Sequence, residues 1–246
     1  MRSRAYTVHR GCECRVMLEE GHRQPLSRDA SPPSSARGPR AYGCCAARGG
    51  KGSQIAWLLC KVWLLAIPLY WHLRIDRKEW SWSTPEKGGF RIAALLGLGM
   101  SGFILLTFLI FGDRLDSQQL KDALEPLGLM NPRLYLVAAL YWIFVNSVLE
   151  EYVFRWFLVT KAEELLGDEH RAIVLGALIF VLHHTIAMAI FGFPWWANLL
   201  ASTGLFIGGA VFSWLYLKYR SIWVSWVAHA ICDVAVFGLG AFLLFT

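Results

Sequence analysis

Beyond residue 54 the sequence has no net charge. The whole excess of six positive charges falls in residues 1–54, which hold ten Lys/Arg against four Asp/Glu, while the rest carries fourteen of each. A basic balance confined to a tail gives the body no electrostatic case for binding nucleic acid. Cysteine is scarce and wrongly spaced. Cys12, Cys14, Cys44 and Cys45 lie in the tail as Cys-x-Cys and Cys-Cys, and Cys60 and Cys232 lie in apolar runs. None has the partners of a zinc site. No apolar run of about 7–15 residues follows the basic start, so a secretory signal is not expected there. No internal repeat is apparent.

What is abundant is apolar. Hydrophobic residues make up 56% of the chain, with twelve Trp. That places it outside the soluble globular class. Residues 1–54 are rich in Arg, Ser, Gly and Pro without apolar periodicity, and are expected to be a disordered basic tail. The favoured reading of that tail is translated sequence upstream of the true start. Residues 55–246 are expected to form a transmembrane domain. Its candidate helices are 55–73, 92–112, 134–160, 172–193, 195–217 and 222–245, each about the 20 residues that hydrocarbon requires. The expected fold is thus all-α, a polytopic bundle of about six transmembrane helices, with a short surface helix around 118–124. Trp57, Trp71, Trp80, Trp82, Trp195, Trp196 and Trp223 fall near helix ends, where indole rings suit the headgroup level. Gly97, Gly99, Gly204, Gly208 and Gly209 are expected to be packing surfaces.

Loops 74–91, 161–171 and 218–221 hold nine Lys/Arg, against three in 113–133 and at 194. The excess puts the first set in the cytoplasm and residue 55 outside. The ten charges of the tail argue the other way.

Polar residues at membrane depth are few. The run 145–158 carries Glu150, Glu151 and Arg155 inside an apolar helix, and a charge at the bilayer centre costs about 3 kcal/mol on insertion scales. Glu151 and Arg155, at i and i+4, share a face and are expected to pair. Glu150 points about 100° away and is left for another task. Phe180 and His184 lie on the next helix, and His229 and Asp233, again at i and i+4, on the last. Counted from the loops on the cytoplasmic side, Glu150, His184 and His229 sit roughly 12–20 Å deep. Singly, each has a plain structural role: a histidine bonded to a carbonyl, a snorkelling acid, a helix-stabilising pair. Sparse, intramembrane and level with one another, they read as a functional site.

The order Glu-Glu-x-x-x-Arg (Glu150, Glu151, Arg155), Phe-x-x-x-His (Phe180, His184) and His-x-x-x-Asp (His229, Asp233) resembles the CPBP family. These intramembrane proteases include the CAAX prenyl endopeptidases and the bacteriocin-immunity and lysostaphin-resistance-like proteins. The resemblance covers about residues 134–245. It implies a membrane peptidase cutting near the cytoplasmic face, with Glu150 as catalytic glutamate and His184 as its partner. His229 and Asp233 match the pair that supports an oxyanion or a metal, while Glu151, Arg155 and Phe180 support the site. Asn is common in the family at the position of Asp233. An ionised Asp cannot donate to an oxyanion; it can accept from His229 or ligate a metal. His183, beside the motif histidine and turned from it, ranks second.

Two versions of the chemistry stay open on spacing alone. In one, Glu150 is the general base without a metal. In the other, His184, His229 and Glu150 hold zinc. The expected partners are a peptide or lipidated-protein substrate and the bilayer, with no nucleic acid. The expected location is a bacterial plasma membrane, with the site towards the cytoplasm. The rival readings are a proton- or metal-coupled transporter and a non-catalytic immunity or scaffold protein.

Overall fold

The computed structural model describes residues 62–79, 81–190 and 192–246. The tail 1–54 and the start of the first apolar run lie outside the described residues. The described chain is helical, with no strand among those residues. Helix α1 is Val62–Ile75, α2 is Phe90–Phe111, and α3 is Ser117–Leu124. Helix α4 runs over Pro132–Leu166, α5 over Glu169–Ile190, α6 over Trp195–Tyr219, and α7 over Ile222–Phe245.

Five of these, α2, α4, α5, α6 and α7, are long and apolar enough to cross a membrane. With α1 as a shorter apolar helix, this is the all-α polytopic bundle expected from the sequence. Short helix α3 falls where it was expected, capped by the Asp116 carboxylate, which accepts from Gln118 N at 2.9 Å. Helix α4 continues past residue 160, where the charged residues read as a loop. Lys161 to Leu166 are good helix formers, and Lys161 is held at 2.5 Å by both Asp76 and Glu164. The helix stops at Gly167, whose φ of 64° fits the left-handed C-terminal turn that glycine allows. At its start, Asn131 Oδ1 accepts from Arg133 N at 2.9 Å and Pro132 takes the first helical position.

Helix α5 lies along α6, α2 lies along α7, and α4 contacts α5, α6 and α7. One apolar cluster joins Val159, Ala162, Ala172, Tyr216, Leu217 and Ile222. Another joins Ala93, Phe212, Leu215, Val224 and Ala228. Large apolar side chains stay exposed along the outer faces, among them Leu95, Leu98, Leu109, Leu182 and Val234. That is what a lipid-facing surface requires and what water would penalise.

Of the glycines expected to be packing surfaces, Gly97 and Gly209 sit where helices meet. A Cβ on Gly97 would lie 3.0 Å from the backbone of Ala228, and one on Gly209 would lie 3.2 Å from the Phe180 ring. By contrast, Gly99 and Gly204 have nothing within 4 Å, so the small-residue stripe is only partly a packing surface.

The loops counted as one topological set gather at one end of the bundle. Lys78 pairs with Glu164 at 2.7 Å, and the Arg220 fork meets Glu163 at 2.6 and 2.7 Å. Ser221 Oγ donates to the Ser83 carbonyl at 2.6 Å, and Ile222 N donates to Ser83 Oγ at 2.9 Å.

Candidate active site

Helix α4 is not a uniform α-helix where it carries the acids. Trp142–Asn146 and Glu151–Val159 are wound as π-helix, with the α-helical turn Ser147–Glu150 between them. Such wide turns are rare and recur at functional sites. Here they flank Glu150 on both sides.

Glu151 is fully buried and Arg155 is 1% exposed. Arg155 Nη1 lies 3.2 Å from Glu151 Oε1, the pairing that the i, i+4 spacing implied. The guanidinium lies among aromatic rings, 4.4 Å from the centroid of Phe180, 5.2 Å from Phe212 and 5.9 Å from Phe154. Ring faces attract the cation and complement its carboxylate partner. Glu151 Oε1 also lies 2.8 Å from His229 Nδ1. A carboxylate accepts, so Nδ1 donates and His229 Nε2 faces the other way. The His229 ring stacks on Phe212 at 4.8 Å and 17° and meets the edge of Phe180, which fixes its plane. Arg155, Glu151 and His229 form one chain of contacts, closed around by Phe180 and Phe212.

His184 is oriented in the same manner from α5. Its Nδ1 lies 2.9 Å from the Phe180 carbonyl. A carbonyl only accepts, so Nδ1 carries the proton and Nε2 is the free nitrogen. Both Nε2 atoms face Glu150. His184 Nε2 and His229 Nε2 each lie 3.8 Å from Glu150 Oε2. Asp233 Oδ1 lies 3.7 Å from His229 Nε2, so the pair shares a face but is too far apart for a hydrogen bond. The four residues Glu150, His184, His229 and Asp233, drawn from three helices, therefore converge. His183 is exposed, with its ring against Phe154 and His184 rather than against the acids.

Asn146 and Phe212 belong to the same constellation and were not singled out from the sequence. Asn146 lies one helical turn before Glu150, where an amide in an apolar run was a usable signal. Phe212 is one of many apolar residues on α6 and gave none.

Zinc would require three of these donors to close on one point about 2 Å from each. Among the described residues, no group of three His, Cys, Asp or Glu is placed to hold a metal ion.

In a bundle of membrane-spanning helices, acids and imidazoles gathered at depth mark a functional site. The family model described as type II CAAX prenyl endopeptidase Rce1-like matches residues 132–235, from the start of α4 into α7 and less than half of the chain. That region is similar to Rce1-like type II CAAX prenyl endopeptidases, in line with the CPBP resemblance of the three motifs, and the likeness indicates a multi-pass membrane protease. No curated protein and no solved structure matches the chain.

Proposed function

We propose that this protein is an intramembrane endopeptidase that hydrolyses a peptide bond near the cytoplasmic face of the bilayer. The observation that carries the reading is the meeting of two histidine Nε2 atoms, each 3.8 Å away, at Glu150 Oε2. Those gaps are too long for direct hydrogen bonds and of a length that one water bridges. A water there donates one proton towards Glu150 Oε2 and the other to His184 Nε2. Its oxygen attacks the substrate carbonyl carbon as Glu150 takes the first proton. His229, as imidazolium, donates from Nδ1 to Glu151 and from Nε2 to the developing oxyanion. Asp233, 3.7 Å from the same Nε2, balances that charge. Collapse of the tetrahedral intermediate breaks the C–N bond, and the proton on Glu150 passes to the leaving amine. The water oxygen and its second proton remain as the hydroxyl of the new carboxylic acid, and His184 only accepts a hydrogen bond from that proton.

The family description supports a prenylated substrate. The test is an internally quenched peptide ending in a farnesylated CAAX sequence, offered to the protein in proteoliposomes. Glu150→Gln keeps the shape and removes the base, and is expected to lower the rate by at least about 100-fold. Activity of the parent is expected to persist in EDTA. A Glu150→Gln variant as fast as the parent overturns the reading, and an activity lost on chelation and restored by zinc replaces its mechanism with the metal one.

A further inference from the structure

A general base is useful only if the correct lone pair faces the water, and a glutamate has three free side-chain torsions. Misplacement by about 1 Å costs on the order of 100-fold. The two histidines do not hold Glu150, since both lie beyond hydrogen-bond distance. What touches the carboxyl group is Asn146, whose Nδ2 donates to Glu150 Oε1 at 2.6 Å. Asn146 is 5% exposed. It ends the first π-helical stretch, Trp142–Asn146, and the turn Ser147–Glu150 brings its amide against the acid one turn on.

The two carboxyl oxygens are thereby made unequal. Oε1 is occupied by the amide, and Oε2 is the one opposite both Nε2 atoms. The backbone below Asn146 is itself pinned. Ser147 Oγ donates to the Ile143 carbonyl, and Trp226 Nε1 of α7 donates to Ser147 Oγ at 3.0 Å. This ties the donor's segment to the helix that carries His229.

We infer that Asn146 is a positioning residue of the proposed peptidase: its amide clamps Glu150 Oε1 so that Oε2 alone serves as the base. The inference rests on the hydrolytic reading of the site. Asn146 acts through Glu150.

Three variants test it with the farnesylated quenched peptide in proteoliposomes. Asn146→Leu removes the donor at similar size in an apolar setting. Asn146→Asp keeps the shape and replaces the donor by an acceptor. Asn146→Gln restores a donor on a longer arm. The expected result is a fall in kcat of about 10- to 100-fold for Leu and Asp, with KM within about twofold of the parent and with Gln recovering part of the loss. Unfolding temperatures in detergent are expected to stay near the parent's for Asp and Gln. Three outcomes overturn the inference: Leu and Asp variants at the parental kcat, a loss that falls on KM, or a Gln variant as slow as Leu. If Leu fails to fold, Asp against Gln decides the question in the same way. Glu150→Gln, run alongside, separates the two levels. If it is active, the hydrolytic reading fails; if it is silent while every Asn146 variant runs at the parental rate, only the role of Asn146 fails.

Discussion

Arg155 is the most costly residue in the bundle to place, and its surroundings explain why it is tolerated. A buried charge survives only when its partner is also buried and the pair is well packed. Glu151 and three aromatic rings supply both conditions. Arg155→Met is therefore expected to lower stability by about 3–5 kcal/mol, because Glu151 is left without its cation. Combining Arg155→Met with Glu151→Gln should recover part of that loss, as read by thermal unfolding in detergent. A single variant more stable than the double would contradict a buried pair. The pairing itself was legible, since i and i+4 share a helix face and both charges sat in an apolar run. The depth match of Glu150, His184 and His229 was legible too, from counting residues back to the charged loops. The aromatic enclosure was not. Phe180 was noticed as a motif letter, but its contacts with Arg155, His184 and His229 together depend on how three helices cross. The weak link between His229 and Asp233 was also hidden, because shared facing does not set distance.

Among the helices, spacing is set where backbone meets backbone. The stripe of glycines read from the sequence looks uniform, and the fold divides it. Gly97→Ala pushes a methyl group to 3.0 Å from the Ala228 backbone, which cannot rotate away as a side chain would. The α2–α7 pair must separate, at an expected cost of about 1–3 kcal/mol. Gly99→Ala meets nothing within 4 Å and is expected to be neutral or to gain up to about 1 kcal/mol from better helix propensity. Paired unfolding measurements in detergent check the contrast, and equal effects at the two positions would remove the argument for close approach. Helix limits were less legible than helix identity. Residues 161–166 read as a loop by their charge, yet those charges are satisfied by Asp76, Lys78 and Arg220 across the bundle end, so the helix runs on.

For the molecule as a whole, one end is latched by ion pairs and hydrogen bonds while the opposite end holds few cations. The Lys/Arg excess predicts that the latched end faces the cytoplasm. In a variant otherwise free of cysteine, Leu165→Cys at the latched end should resist a membrane-impermeant thiol reagent applied to intact cells. Leu127→Cys at the other end should react. Both positions are exposed in the fold, at 84% and 59%, so protection would report the membrane rather than burial. The reverse pattern would invert the orientation and place the proposed chemistry nearer the outer face.

The two wide turns of α4 have a consequence for how this chain tolerates change. In an ordinary helix, a residue gained or lost rotates the remainder of that helix, and the damage fades at the next loop. Here Trp142–Asn146 and Glu151–Val159 bracket the acid, and residues on both sides are fastened to other helices. The angular phase between Asn146, Glu150 and Lys161 has no slack to absorb a shift. Substitutions can be tried along this stretch, but a single-codon insertion or deletion within it would throw the acid and its anchors out of alignment together.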